Sequence, residues 1–205
     1  MLSAGEIFTL FFVTLGPLKL LGPYGQQTRD LDAVALRITA LRVFVVSLAA
    51  VLVGGYLGSA LAVKWHVSIP AIEIATGVVF FLVAINLTLA SYDATKSART
   101  SEPLPPSAMA ATVRLAFPLV VTPYGIAALV TLLLMSDSAT QVRAIYAILA
   151  AVMVADLLAM LFVRQITRGV MLYVVQVLAS VLGVLQVGLA VQIIIRGLTD
   201  LHVLS

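Results

Sequence analysis

Cysteine is absent from this chain, and histidine occurs only twice in its 205 residues. Disulfides, thiolate nucleophiles and cysteine-ligated metals are therefore excluded, and the isolated His66 and His202 predict no metal site and no cofactor. Charged residues make up only 10% of the chain, whereas a soluble domain carries about 25%. Because 62% of the residues are hydrophobic, a soluble globular protein is excluded. The net charge of +3 gives no reason to expect a nucleic-acid partner.

The sequence contains few charged residues but several long apolar runs. Six stretches are long enough for membrane-spanning helices, which need roughly 20 residues; they are 5–25, 38–63, 67–91, 109–134, 141–163 and 170–196. The runs are continuously apolar rather than alternating, which favours helices over a transmembrane β-barrel. The lipid bilayer is therefore the first partner expected, and little chain remains for any extramembrane domain.

Two of the apolar stretches are interrupted by proline at matching places. Pro17 and Pro123 are 106 residues apart, and the same offset relates Arg37 to Arg143, Gly77 to Gly183, Ala84 to Ala190 and Asn86 to Gln192. A repeating unit with an odd number of spans crosses the membrane in opposite directions. The sequence thus predicts an all-α integral membrane protein of six transmembrane helices, built as two inverted three-helix repeats with broken helices in spans one and four. The repeats are 1–91 and 109–205, joined by a cytoplasmic linker at 92–108.

Lysine and arginine set the expected orientation, because cytoplasmic loops carry an excess of them. One side would hold six of these residues: Arg29, Arg37, Lys96, Arg99, Arg164 and Arg168. The other side would hold three: Lys64, Arg143 and Arg196. The first side is therefore predicted to be cytoplasmic, and both termini are predicted to face outward.

The two proline breaks are the predicted binding site. Proline removes a backbone donor, and irregular backbone at membrane depth is tolerated only where it is buried in protein or lines a cavity. The second halves of spans one and four would begin near the midplane, so their positive ends would converge from opposite directions and suit a carboxylate or another small anion. A simple kink is the alternative for each proline. The predicted residues are Gly16, Pro17, Lys19, Thr122, Pro123, Tyr124 and Gly125.

Two ionisable residues lie at a common depth within the spans, Lys19 and Asp156. A charge at this depth costs about 2.5–3.5 kcal/mol on insertion scales, so the two are expected to pair in one polar cavity. Alternatively, Lys19 extends to the interface, and Asp156 carries a proton, binds an ammonium group or bonds to a hydroxyl of another helix. Asn86 and Gln192 complete the predicted site, as pathway residues or as bonds between helices. Glu73 is either a gate at the outer mouth or an interfacial carboxylate.

The order of these motifs resembles the MarC family of bacterial inner-membrane proteins, a group similar to the LysE amino-acid exporters. The segments that carry the resemblance are Phe11 to Thr28 with Gly16-Pro17, Ile74 to Asn86, Ala116 to Ile126, and Leu182 to Leu198. The similarity spans essentially the whole chain. It implies six spans, outward termini in the bacterial inner (plasma) membrane and, in some members, transport of small neutral amino acids.

The residues within the predicted spans limit the classes of function that fit this chain. No nucleophile elbow, phosphate loop or paired catalytic constellation is present in the sequence, so an enzyme is not expected. The first hypothesis is a transporter or exporter of a small amphoteric solute, coupled to protons or another ion. An ion channel or ion exporter through the same broken helices is the second, and a membrane regulatory protein without transport is the third. The sequence leaves the formation of a homo-oligomer open.

Overall fold

The structure is a computed structural model that describes residues 3–92, 107–136, 138–167 and 170–201, without the side chains of 86–92, 170–173, 175–176 and 179–180. The described chain is helical and contains no strand. Its helices are α1 Ala4–Thr14, α2 Leu18–Gln27, α3 Ala33–Lys64, α4 Ile69–Tyr92, α5 Ala108–Leu115, the π-helical turn π1 Ala116–Val120, α6 Pro123–Leu134, α7 Ala139–Leu161, α8 Val163–Ile166 and α9 Val170–Asp200. Most of the predicted linker, 93–106, lies outside the described residues.

Short polar side chains define where several helices begin. Ser3 and Glu6 form a reciprocal capping box at the start of α1, and Asp32 accepts the N–H of Ala35 at the start of α3. Such caps satisfy N–H groups that have no partner within the helix. The run that follows Asp32 becomes the single long helix α3 and covers the predicted span 38–63, whereas the run that follows Ser3 is interrupted.

The first predicted break is confirmed. Helix α1 ends at Thr14 and α2 begins at Leu18, within one 24-residue apolar stretch, Ala4–Gln27. A Cβ atom at Gly16 would lie 2.1 Å from the carbonyl oxygen of Phe12. Only glycine therefore fits where the chain leaves α1, and Pro17 then supplies the fixed φ for the start of α2.

The second predicted break is also confirmed, and it is sharper. The stretch Ala108–Val120 and helix α6 are bent by 62° relative to each other. Phe117 has non-helical backbone angles within π1, and Val121 and Thr122 are extended. The proline at the first position of α6 has no N–H to lose, so a new helix begins there at little cost.

The structure confirms several apolar helices of membrane-spanning length, but not the full number of six spans that the sequence predicts. Four helical stretches are long and apolar enough to cross a bilayer: Ala4–Gln27, Ala33–Lys64, Ala139–Leu161 and Val181–Asp200. The bent pair of Ala108–Val120 and Pro123–Leu134 is a fifth candidate span if the two helices cross as one. The apolar helix Ile69–Ile85 is shorter than these candidates. The chain is thus a multi-pass, all-α protein, and the sixth span stays a prediction.

Helices α4 and α9 form an extensive pair that lies alongside the two breaks. A Cβ atom at Gly77 would lie 3.0 Å from the carbonyl oxygen of Ala190, and one at Gly197 would lie 2.9 Å from that of Pro70. The contact positions rise along α4 as they fall along α9, so the two helices are antiparallel. Small residues at these points let the backbones approach closely, as is typical of helix pairs in membranes.

Candidate functional site

The two breaks lie against each other in the folded chain. A Cβ atom on Gly125, in the first turn of α6, would lie 2.4 Å from Cδ2 of Leu15, which caps the end of α1. The hydroxyl of Thr122 donates a hydrogen bond to the carbonyl oxygen of Thr14 over 3.1 Å. The segments Gly16–Lys19 and Thr122–Gly125, predicted as one site, are therefore brought together.

Lys19 does not extend to the interface but lies between the broken ends. Its Nζ donates to the carbonyl oxygen of Thr14 over 2.5 Å and to that of Val120 over 3.4 Å. These carbonyls end α1 and π1, where helix termination leaves acceptors without a partner in the helix. The partial negative charge of such ends attracts a cation. One ammonium group thus joins the two broken spans.

A second backbone acceptor of the first break is bound by a residue that sequence reasoning missed. Gln186, on α9, is buried and donates from Nε2 to the carbonyl oxygen of Val13 over 2.9 Å. An amide within an apolar run was the only available signal. Its partner is a backbone carbonyl, and a sequence gives no indication of which carbonyl a break leaves free.

Aromatic rings form one wall of the break site. Tyr124 is buried and stacks on Phe80 of α4, with ring centroids 4.9 Å apart and planes at 21°. The Nζ of Lys19 lies 5.6 Å from the centroid of the Tyr124 ring, which is within the range of a cation–π interaction. The predicted location of Tyr124 at the break is confirmed, and Phe80 is an additional wall residue.

Asp156 is fully buried on α7 near Lys19. Neither of its carboxylate oxygens has a hydrogen-bond partner in the described part of the chain. The interpretation of Asp156 as a residue bonded to a hydroxyl on another helix is therefore wrong. The charge of Lys19 acts on it electrostatically, as their common depth in the sequence predicts.

The two new helix starts are not equivalent, which modifies the expected pair of donor-rich ends. The hydroxyl oxygen of Thr122 accepts the N–H of Gly125 over 3.2 Å, so the start of α6 is capped. The start of α2 at Pro17 has no side-chain cap. Pro123 itself is exposed. The main polar feature of the break site is therefore a lysine bound to backbone carbonyls, because only one of the two helix starts lacks a side-chain cap.

Of the two amides of the predicted site, Gln192 does not lie at the breaks. Gln192 is exposed and lies on the wall of a different cavity. The side chain of Asn86 falls outside the described residues. The rotation of each helix about its axis decides which space a side chain faces.

That second space, which we call the terminal cavity, lies among α1, α4, α6 and α9 and has a volume of about 520 Å³. Its polar lining residues include Glu6, Thr9, Glu73, Thr131, Gln192 and Arg196. The Nε of Arg196 lies 3.5 Å from Oε1 of Glu73, whose side chain is only 3% exposed. Glu73 is therefore buried within the protein and paired with Arg196, and its position relative to the membrane interface stays a prediction.

Comparison with known proteins gives one match. A family model described as MarC family integral membrane protein matches residues 3–202, nearly the whole chain. No curated protein and no solved structure matches the chain.

Proposed function

The chain belongs to the MarC family of integral membrane proteins, and on this premise we propose that it transports or exports a small amphoteric solute, such as a neutral amino acid. Transport would be coupled to protons or another ion. In this proposal the protein lies in the bacterial inner membrane with both termini outward. Its six spans are two inverted repeats that meet at the breaks.

One observation carries the proposal. The two carbonyls that bind Lys19 belong to Thr14 and Val120, which are themselves 106 residues apart. This is the offset that relates Pro17 to Pro123. Equivalent backbone groups of the two units therefore converge on one side chain, which supports a pseudo-twofold arrangement with the site on its axis. Transporters with inverted repeats place their substrate and ion sites at such broken helices.

Two further contacts join helices α4 and α9 to the breaks. Phe80 of α4 packs on Tyr124 at the second break, and Gln186 of α9 bonds to Val13 at the first. Phe80 and Gln186 are 106 residues apart. In the proposed repeat arrangement, the third span of each unit therefore packs at the break of the other unit. This is expected when two units are related by a pseudo-twofold axis.

Lys19 and Asp156 supply the chemistry for an amphoteric solute. An ammonium group has three donors, and the longer of the two carbonyl bonds of Lys19, to Val120, can be exchanged for a substrate carboxylate. Asp156 is buried and accepts no hydrogen bond from the described residues, so a proton or a substrate ammonium would stabilise it. Release of Val120 from Lys19 would at the same time remove one of the bonds between the two broken spans, which would couple binding to their movement.

The decisive experiment is solute flux in proteoliposomes, with and without a pH gradient, expressed per folded molecule. We expect a Pro17→Ala and Pro123→Ala double variant to lose most of its flux, because continuous helices would withdraw the carbonyls that hold Lys19. Pro23→Ala is the matched control, since Pro23 lies within α2 and is exposed. Flux at the parental rate in the double variant would mean that the breaks are only structural kinks.

A further inference from the structure

The terminal cavity takes no part in the chemistry proposed at the breaks. Its polar lining includes the carboxylates of Glu6 and Glu73 and the guanidinium of Arg196. These three groups together leave one negative charge in excess. A cavity of about 520 Å³ falls within the range of small-molecule sites, which is roughly 300–1,000 Å³.

Glu73 is the group in this cavity whose bonding is least complete. Its side chain is 97% buried, given an exposure of 3%, and its Oε1 faces Arg196 over 3.5 Å. Its Oε2 is buried and accepts no hydrogen bond from the described residues. Arg196 is itself 39% exposed. A buried carboxylate with a single long contact is stabilised by a further charged donor.

Two threonines in the cavity are arranged as acceptors. The hydroxyl of Thr131 donates its proton to the carbonyl oxygen of Ala127 over 3.0 Å, and that of Thr9 donates to Gly5 over 2.9 Å. With these protons committed, each hydroxyl oxygen is left to accept. Together with the carboxylates, they favour a ligand that donates several hydrogen bonds and carries positive charge.

The remaining wall is apolar. Leu10, Leu132, Leu189 and Ile193 line the cavity beside these acceptors. A strongly hydrated metal cation would gain nothing from such a wall. An organic cation would bury its hydrocarbon part there and present its ammonium group to Glu73.

We propose that the terminal cavity is a binding site for the primary ammonium group of a small solute with an apolar body, and that Glu73 is its principal acceptor. The site is separate from Lys19 and Asp156, and binding there does not depend on transport. The ammonium group can belong to a simple monoamine or to a zwitterion, whose carboxylate would face Arg196.

The test is calorimetric titration of the full chain in lipid nanodiscs with n-butylammonium chloride. Sodium butyrate is the isosteric anion, and 4-aminobutyrate is the zwitterionic probe. We expect butylammonium to bind and butyrate not to bind. Equal or tighter binding of 4-aminobutyrate would assign the ammonium group to a zwitterion, and weaker binding would assign it to a monoamine.

Two substitutions in the cavity are expected to change the affinity for butylammonium in opposite directions. Glu73→Gln should weaken butylammonium binding by about tenfold or more, because a charged hydrogen bond is lost. Arg196→Gln should strengthen it, because the competing cation is removed from Glu73. Asp30→Asn is the matched control, since this exposed carboxylate lies beyond the far end of α2, and it should leave binding unchanged.

Three results would overturn the proposal: no binding of butylammonium to the parental chain, butyrate binding as tightly as butylammonium, or an unchanged affinity in Glu73→Gln. If Glu73→Gln does not fold, Arg196→Gln and Thr131→Val decide, with tighter and weaker binding expected respectively. Failure of the proposed transport function would give a different combination of binding and flux results. In that case butylammonium still binds and Glu73→Gln still weakens its binding, but no solute flux is measured.

Discussion

Lys19 shows how a charged side chain is accommodated among apolar spans. Its ammonium group is held by the carbonyl oxygens of Thr14 and Val120 and lies beside the ring of Tyr124. Neither oxygen of Asp156 accepts a hydrogen bond from the part of the chain that the structure describes. The ammonium group of Lys19 therefore binds the broken helix ends, and we expect its charge also to stabilise the buried carboxylate.

We expect Lys19→Met to be less stable than the double variant Lys19→Met with Asp156→Asn. The single change leaves a buried carboxylate with no cation, which typically costs about 3 kcal/mol, whereas the double change removes that charge as well. Both variants lose the same bonds to carbonyls, so the difference between them isolates the carboxylate. Thermal unfolding of the purified proteins measures it, and equal unfolding temperatures would contradict the electrostatic role of Lys19.

Gly125 shows how closely the two breaks approach each other. An added Cβ atom would lie 2.4 Å from Leu15 and 2.8 Å from Oγ1 of Thr122. We expect Gly125→Ala to lower the free energy of unfolding by about 1–3 kcal/mol through overpacking, and Leu15→Ala to restore part of it. Gly22→Ala is the control, because a Cβ atom at Gly22 would meet nothing within 4 Å. Chemical unfolding distinguishes them, and equal stability of the two glycine variants would contradict the close approach.

At the scale of elements, Thr122 joins two broken spans with one hydroxyl group. It donates to the carbonyl oxygen of Thr14 at the end of α1 and accepts the N–H of Gly125 at the start of α6. The same group thus caps one helix and satisfies the terminus of another. This arrangement explains why a 62° bend is compatible with a buried backbone.

We expect Thr122→Val to destabilise the protein by about 1–2 kcal/mol, the typical cost of losing an N-cap. Thr122→Ser should retain nearly full stability, because it keeps the hydroxyl. The control is Thr199→Val, since Thr199 is exposed and its hydroxyl bonds to Ile195 within its own helix. Unfolding curves for the three variants give the comparison, and a Thr122→Val variant as stable as Thr199→Val would show that the cap contributes nothing.

At the scale of the whole molecule, much of the surface is apolar. Large hydrophobic side chains stay exposed along α3 and α9; they include Leu41, Val45, Val53, Leu57, Val177, Val181 and Val184. In water such a surface would drive aggregation, whereas in a bilayer it meets lipid tails. The buried residues instead surround the two breaks, so the few polar groups of the spans are enclosed by protein.

The predicted orientation can be tested on the intact chain. We expect a reporter fused to the C-terminus to be active only on the outer side of the membrane, because six lysines and arginines against three favour the opposite face as cytoplasmic. A fusion within the linker, after Ser101, should give the reverse result. Cytoplasmic activity of the C-terminal fusion would reverse the topology.

The sequence by itself determined the class of protein and the places where its helices break. Sparse charge and long apolar runs require a bilayer, and proline and glycine act on the backbone within a turn or two of their own position. The offset of 106 residues also indicated which two breaks would meet. These properties are readable because their causes are local or compositional.

Only the tertiary structure decided what the polar side chains contact. The partners of Lys19, Thr122 and Gln186 are backbone carbonyls, which every residue carries and no sequence pattern distinguishes. Gln192 and Glu73 line the terminal cavity because the rotation of α9 and α4 turns them there. Helix rotation is set by packing between distant segments, so the same apolar runs are compatible with several arrangements until the helices meet.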